Sequence, residues 1–310
     1  MTTRPVLVTG GAGFLGAALV RRLVAERQDV HAIVRPTTGL TRIADLVDMV
    51  TLHRADLAES AEVTAIVDRV EPATVFHTAA TGAYTRVGDA GLFRDNVLSI
   101  VNLLQATAPL AVCRVIHTAS SLESGPRAVA TRESDAFAPG APYAASKAAG
   151  TLVALQAGAC GRRVVALRPF AIYGPGEPEQ RLIPSAIRAA ITGTPLRLTE
   201  AGFTRDLVFV DDVVDAYLVA SRVDGIDGEL INIATGRPTA NEDTVRTIER
   251  LTGRAITIAD EPYPPRATDR PFWCADVSKA ERLLGWRARH TVEQGLARTI
   301  DAYVNTNACR

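Results

Sequence analysis

Val6-Leu7-Val8-Thr9-Gly10-Gly11-Ala12-Gly13-Phe14-Leu15-Gly16 decides how the rest of the 310-residue chain is read. Val6–Thr9 has the length and apolar character of a buried strand, and an apolar helical pattern runs from Phe14 to about Ala25. The glycine-rich turn thus lies between a strand and the start of a helix, the context in which such a turn holds the diphosphate of a dinucleotide. Gly10 permits the tight turn, Gly13 the close approach of a pyrophosphate, and Gly16 close helix packing. The helix start at Phe14 and Leu15 adds unpaired N–H groups and a positive dipole end. The spacing is G-x-x-G-x-x-G rather than G-x-G-x-x-G. A glycine turn that binds nothing is the alternative. No G-K-[ST] follows, which excludes a nucleoside-triphosphatase loop.

Outward from this turn, short β-branched runs alternate with helical spacing. Strands are expected at Val30–Val34, Val50–Leu52, Thr74–His77, Val112–Thr118 and Val164–Leu167, and helices at Ala61–Val70, Leu92–Ala106 and Tyr143–Ala159. Near-continuous apolar strands separated by helices predict a parallel sheet covered on both faces. After Arg168-Pro169 the pattern changes. A Gly- and Pro-rich loop at Tyr173–Pro178 precedes a helix at Ile183–Thr192 and a short strand at Leu196–Leu198. Leu207–Val210 leads into a helix from Asp211, and Glu229–Ile233 reads as a further sheet strand. Helices follow at Asn241–Thr252, Ser278–Leu284 and Val292–Tyr303. The expected organisation is a dinucleotide-binding domain from 1–170 and 207–235, interleaved with a substrate domain from 171–206 and 236–310.

Composition excludes several classes. Apolar residues make up 47% and charged residues 22%, and the formal net charge is zero, so no basic surplus points to nucleic acid. Cys113, Cys160, Cys274 and Cys309 are scattered without zinc-like spacing and read as free thiols of a reducing compartment. The five histidines show no ligand pattern, so no metal is expected. No apolar run approaches the ~18 residues of a membrane span. The chain passes from Met1-Thr-Thr-Arg-Pro5 directly into a strand, with no room for a signal peptide. A cytoplasmic location is expected.

Lys147 and Lys279 are the only lysines; arginine supplies the rest of the 34 basic residues. Lys147 closes Tyr143-Ala-Ala-Ser-Lys147, and a four-residue spacing sets phenol and ammonium on one helix face. A neighbouring ammonium lowers a phenol's pKa and equips it for proton transfer; a guanidinium is not the same compact point charge. Where the second strand ends, Ile33-Val34-Arg35-Pro36 offers no carboxylate for a ribose 2′-hydroxyl. Arg35 suits a 2′-phosphate, which favours NADP(H) with NAD(H) as the other possibility; a plain surface arginine is the alternative.

Together these features resemble the extended short-chain dehydrogenase/reductase family, in its nucleotide-sugar epimerase, dehydratase and ketoreductase branch. The resemblance spans Val6 to about Gly295. It also rests on His77-Thr-Ala-Ala80, Asn96-Val-Leu-Ser-Ile-Val-Asn-Leu-Leu104, Leu167–Gly176, Arg205-Asp-Leu-Val-Phe-Val-Asp-Asp212, Ala275–Ala280 and Leu284-Gly-Trp286. It implies a Rossmann-type doubly wound parallel sheet with a smaller interleaved C-terminal α/β substrate domain. It places Asp56 and Leu57 beside adenine, Thr78, Ala79 and Ala80 under the ribose and pyrophosphate, and Pro169 and Ile172 near the cofactor. Ser120 then bonds the substrate oxygen, Tyr143 is the acid/base on it, and Lys147 bonds the nicotinamide ribose and tunes Tyr143. Thr81, Ser121, Arg181, Arg205 and Arg266 are implied substrate contacts, the arginines facing a sugar-nucleotide diphosphate. For Arg205 and Arg266 an ordinary surface ion pair is the alternative.

Dehydratases of this branch carry an acid pair, or at least a glutamate, just after the active-site Ser or Thr. Here those positions are Ser121 and Leu122, and Glu123 comes one residue late, on the opposite face of a strand-like segment. A local irregularity would rescue it. A 4-ketoreductase acting with NADPH on a nucleotide-linked 4-keto-6-deoxyhexose is therefore placed narrowly ahead of a 4-epimerase retaining NAD. Further back stand reduction of a non-sugar carbonyl and a non-catalytic cofactor-binding protein. The resemblance also implies a homodimer through the helices at Leu92–Ala106 and Tyr143–Ala159.

Overall fold

A computed structural model describes residues 4–82, 87–264 and 271–308, the last three without side chains. In chain order the regular elements are β1 (Val6–Thr9), α1 (Phe14–Ala25), β2 (Val30–Val34), β3 (Thr51–Arg54), α2 (Ser60–Val70), β4 (Thr74–His77), α3 (Asp89–Phe93), α4 (Ser99–Thr107), β5 (Arg114–Thr118), α5 (Pro142–Ala159) and β6 (Val164–Pro169). They continue with β7 (Ala171–Tyr173), α6 (Leu182–Thr192), β8 (Thr204–Phe209), α7 (Val210–Ala220), β9 (Leu230–Ile233), β10 (Pro238–Ala240), α8 (Asn241–Thr252), α9 (Ser278–Leu284) and α10 (Val292–Ala308).

Two compact units are formed. The first comprises 1–123, 137–168 and 214–231; the second comprises 124–136, 169–213 and 232–310. Against the expected bounds of 1–170 and 207–235, the excursion at 124–136 and residues 169–170, 207–213 and 232–235 belong to the second unit.

The first unit is built on a seven-stranded sheet in the order β3-β2-β1-β4-β5-β6-β9. The order reverses between β1 and β4, which pair in parallel with Thr9 opposite His77. This is the Rossmann-type doubly wound sheet. Loops leaving adjacent strands at that reversal turn to opposite faces and open a crevice at the carboxyl edge. Strands buried on both faces are apolar at most positions, and β1 and β6 are buried throughout, with Thr9 and Arg168 as polar exceptions. One side of the sheet is closed by α2, α4 and α5, with Leu7, Val63, Val67, Val75, Ile100, Leu103, Val115 and Val164 in a shared core. Each such side chain contributes about 1.5–3 kcal/mol.

The expected single helix at Leu92–Ala106 is instead α3 and α4 joined through a π turn at Arg94–Leu98. The extra residue in that turn lets Asn96 turn inward, where it is buried. The second unit carries a three-stranded sheet, β10-β8-β7, with β7 parallel and β10 antiparallel to β8. The strand expected at Leu196–Leu198 reduces to a bridge between Leu196 and Ile258, because Pro195 and the lack of a neighbouring strand leave nothing to extend it. Among the described residues no helix is long and apolar enough to cross a membrane.

Candidate active site

The first unit gathers the chemistry at the carboxyl ends of its strands. Gly10 follows β1 with φ +68°, and a Cβ there would lie 2.7 Å from Ala79 Cα. A Cβ on Gly16 would lie 2.2 Å from the Gly10 carbonyl oxygen. Only glycine serves at either position, the first for backbone freedom as well as space. Gly13 is exposed and forms the N-cap of α1. No side chain caps that helix start and no carboxylate lies in its first turn. The N–H groups of Phe14, Leu15 and Gly16 thus have no intrahelical acceptor, which suits them to the anionic diphosphate of a dinucleotide. Behind the turn the Thr78 hydroxyl donates to the Thr9 carbonyl at 2.7 Å, aligning Thr78, Ala79 and Ala80 along the glycines.

Arg35 does follow β2, but it is already engaged. Its guanidinium pairs with Asp95 at 3.0 Å and also donates to the Thr81 hydroxyl. The charge expected for a 2′-phosphate is thus largely answered within the protein. Asp56 follows β3, pairs with Arg94 at 2.8 Å, and is held below the ordinary carboxylate range by its Ala58 and Arg94 contacts against the opposing effect of burial. Leu57 is buried, and its carbonyl accepts from Asn102 at 2.9 Å.

Thr81, expected beside the substrate, is only 1% exposed. Its N–H and carbonyl are both clamped by the Asn96 side chain, at 2.8 and 3.1 Å, and its hydroxyl donates to Asp95 at 2.5 Å. These bonds fix the loop that follows β4. Asn96 also donates to the Ser146 hydroxyl at 2.9 Å, tying the π turn to α5.

Tyr143 and Lys147 lie on α5, which starts with Pro142. Proline fits the first helical position, where its missing N–H costs nothing. The Tyr143 side chain is half-buried at the helix start, and Lys147 is 2% exposed one turn on. Lys147 Nζ donates to the Thr118 carbonyl at the end of β5, 2.7 Å away. The Thr118 hydroxyl in turn accepts from Tyr217 at 3.0 Å. Burial lowers the Lys147 pKa to about 8, and the nearby Glu123 carboxylate opposes the fall. Near neutrality the group is an ammonium with two further N–H donors.

Ser120 stands two residues beyond β5, just before a 3-10 turn at Ser121–Ser124. The sequence predicts a strand-like segment here. It is helical, so the strand-alternation reason for setting Glu123 aside does not apply, yet Glu123 still turns inward. Its Oε1 accepts from the Ser120 N–H at 2.7 Å and from the Thr151 hydroxyl at 2.9 Å. The Ser120 hydroxyl accepts from the Leu122 N–H at 3.3 Å, which leaves its own proton to donate. Glu123 reaching back to the Ser120 N–H is the glutamate half of a capping box, with the Ser120 hydroxyl taking the Leu122 rather than the Glu123 N–H, and the S-x-x-E signature at Ser120–Glu123 is present in the sequence. Ser121 is half-buried in the same turn.

Two histidines, His77 and His117, are also fully buried here. His77 Nδ1 bonds the Thr9 hydroxyl at 2.8 Å, and His117 Nε2 faces the Thr151 hydroxyl at 3.3 Å. Their rings stack with centroids 5.4 Å apart. Burial, with Lys147 nearby, lowers His77 to about 3 and His117 well below its ordinary value, so both are neutral.

The other expected contacts belong to the second unit. Pro169 ends β6 and Ile172 lies on β7. Arg181 is the N-cap of α6 and pairs with Glu177 at 3.0 Å. Arg205 is on β8, its guanidinium 5.7 Å from the Phe203 ring centroid. Arg266 lies outside the described residues.

Residues 6–234 match the model of the NAD dependent epimerase/dehydratase family. The chain belongs to that family. It is an enzyme of the extended short-chain dehydrogenase/reductase class. It is similar to the UDP-glucose 4-epimerase of Mycolicibacterium smegmatis, with 31% identity over 96% of this chain and 98% of the relative. It is also similar to the dTDP-6-deoxy-L-talose 4-dehydrogenase (NAD(P)(+)) of Kitasatospora kifunensis, with 30% identity over 94% and 93%. Among solved structures, MoeE5 in complex with UDP-glucuronic acid and NAD superimposes with a TM-score of 0.85 at 31% identity, covering 97% of this chain and 99% of that one. Family membership and the Tyr143-x-x-x-Lys147 pair thus point to the same class of chemistry.

Proposed function

We propose that this family member oxidises and re-reduces C4 of a nucleoside-diphosphate hexose with NAD(H), and that its net reaction is 4-epimerisation. The observation carrying the C4 chemistry is the buried Lys147 ammonium, anchored to Thr118 one helical turn from Tyr143, with the Ser120 hydroxyl proton left to donate. NAD+, when bound, supplies the acceptor for the C4 hydride. Tyr143 takes the O4 proton as the C4–H bond breaks and returns it when the ketone is reduced from the other face. Ser120 hydrogen-bonds O4 throughout. Lys147 favours the phenolate of Tyr143 and bonds the nicotinamide ribose. Gly10, Gly13 and Gly16, the first turn of α1, Asp56, Leu57 and Thr78–Ala80 hold the dinucleotide, with Pro169 and Ile172. By the family resemblance, Arg181 and Arg205 are the proposed contacts for the substrate diphosphate, with Arg266 as a third candidate.

Dehydration at C5 and C6 needs its own acid and base near the sugar. Glu123 is fully buried and bonded within the first unit, which argues against that role. Preference for the epimerase over the ketoreductase rests on Arg35, whose pairing with Asp95 weakens the case for NADPH. The NADPH-dependent 4-ketoreductase of a 4-keto-6-deoxyhexose is the second reading. It is favoured by the absence of a carboxylate at the end of β2, where Arg35 would exchange Asp95 for a 2′-phosphate. Homodimerisation through α3, α4 and α5 fits the exposed Phe93, Leu98 and Leu152.

The test begins with mass spectrometry of the cofactor released from freshly purified protein, followed by assay with UDP-glucose and related sugars. Retained NAD(H) and interconversion of C4 epimers support the proposal. An exchanging site that consumes NADPH with a 4-keto-6-deoxy sugar nucleotide replaces it with the second reading. Tyr143→Phe is expected to lower kcat by about 10³-fold while leaving NAD(H) bound. Parallel loss of cofactor would make Tyr143 structural.

A further inference from the structure

Glu123 stands apart from the residues used so far. A carboxylate is almost never fully buried without a partner, yet Glu123 has no exposed surface. Both donors it receives, the Ser120 N–H and the Thr151 hydroxyl, bond the same oxygen, Oε1. Among the described residues Oε2 has no hydrogen-bond partner. Nδ1 of the adjacent His117 has none either. The titratable and charged groups facing this carboxylate are Lys147 on α5, Arg168 on β6 and the neutral His117 on β5. A half-bonded buried carboxylate costs stability, so its position calls for another explanation.

We propose that Glu123 is a positioning residue for the Ser120–Tyr143–Lys147 centre. Its Oε1 holds the turn that presents the Ser120 hydroxyl, and its negative charge is the buried counter-charge of the Lys147 ammonium. This rests on the reading of those three residues as the reacting centre. The two roles reside in different features of one side chain, which makes them separable. Glu123→Gln keeps an oxygen for the Ser120 N–H and Thr151 but removes the charge. Glu123→Ala removes both.

The charge carries a definite sign. Burial lowers Lys147 to about 8 and raises Glu123 to about 6, so between those values both groups are ionised and each favours the other's charged form. Neutralising Glu123 lets the Lys147 midpoint fall further, and the ammonium is lost at a lower pH. If activity needs the ammonium, the alkaline limb of kcat/KM moves the same way. With a shift of about one unit, the variant loses about tenfold in kcat/KM at pH 9 and little at pH 6.5.

The composition of the chain makes this directly measurable. With Lys147 and Lys279 as the only lysines, protein grown with [6-13C]lysine gives two ε-carbon signals, assigned with Lys279→Arg. In the full-length wild type, the Lys147 signal is expected to titrate near pH 8, with a smaller inflection near pH 6 as Glu123 ionises. In Glu123→Gln the main midpoint falls by about one unit and the inflection disappears. An unmoved Lys147 midpoint overturns the proposal. Should Glu123→Gln fail to fold, absence of the inflection near pH 6 in the wild type overturns it equally. Glu123→Ala adds a loss of kcat at pH 6.5 that Glu123→Gln lacks; equal kcat for the two variants at that pH removes the Ser120 role. The NMR readout needs no turnover, so a wild type inactive on every sugar nucleotide would refute the proposed reaction while leaving the Glu123–Lys147 coupling to be judged alone.

Discussion

Asp206 in the second unit and Glu123 in the first are both fully buried carboxylates, but their oxygens are occupied very differently. Asp206 accepts from the Thr235 N–H at 2.8 Å, the Thr235 hydroxyl at 2.6 Å, the Gly236 N–H at 2.9 Å and the Ala275 N–H at 3.2 Å. Both of its oxygens are used, and backbone from β8, the segment after β9 and the stretch before α9 is drawn to one point. Glu123 loads two donors onto one oxygen and none onto the other, with Lys147 close enough to influence it. Burial raises the pKa of both. A saturated carboxylate of the first kind organises a fold. One of the second kind keeps unused electrostatic capacity beside a reacting centre, at a cost in stability.

The comparison breaks most readily at Asp206. Asp206→Ala removes the acceptor of these four bonds and of the longer Cys274 thiol contact, and is expected to cost about 3–5 kcal/mol, read from urea unfolding. A loss under about 1 kcal/mol would mean that those donors find other acceptors and that Asp206 is no linchpin. A smaller effect is expected at Glu123, and it depends on pH. Its carboxyl is raised from 4.5 to about 6, so between these values the folded state holds the proton more tightly than the unfolded chain. Stability contributed by this group falls as pH rises through that window and is level above it, a total of about 2 kcal/mol. Glu123→Gln should flatten the change in unfolding free energy between pH 4.5 and 7.5 by that amount. Glu177, raised to about 7 by burial, adds a slope of the same sign, but it is present in both proteins and cancels in the difference. Identical slopes would show that Glu123 ionises alike in both states. The smallest effect belongs to Thr151→Val, which removes one donor from Oε1. About 1 kcal/mol of stability is expected to go. The pH 6 inflection expected at Lys147 should move upward by a few tenths of a unit, and a downward move would contradict the donor role.

Much of the fold was legible because its signals are local. β1, α1, β2, β4, α8 and α9 have the bounds expected from spacing, since each depends on runs of apolar residues or on a turn residue such as Gly285. The start of the helix expected from Asp211 and the segment after the helix ending at Leu284 are brought together by the fold. The Trp286 indole donates to the Asp212 carbonyl at 3.1 Å, and the Asp212 carboxylate holds His290 at 2.9 Å. The π turn before α4 was not legible, because one extra residue in a helix leaves the apolar period almost unchanged while redirecting Asn96. The expected use of Thr81 and Arg35 for ligands missed Asp95, which lies on the following helical segment and reaches both only in the folded unit.

The sequence by itself determined the alternating strands and helices, the glycine turn ahead of α1, and Tyr143 and Lys147 one turn apart, because each follows from residues within a few positions of one another. It also contained the Ser120–Glu123 box, as a four-residue signature. Only the tertiary structure decided what those charges face. Arg35 meets Asp95 across 60 residues, and Thr151 meets Glu123 across 28. Burial then sets whether each group keeps its charge. Desolvation and long-range pairing depend on which segments the core brings together, and no local pattern encodes them.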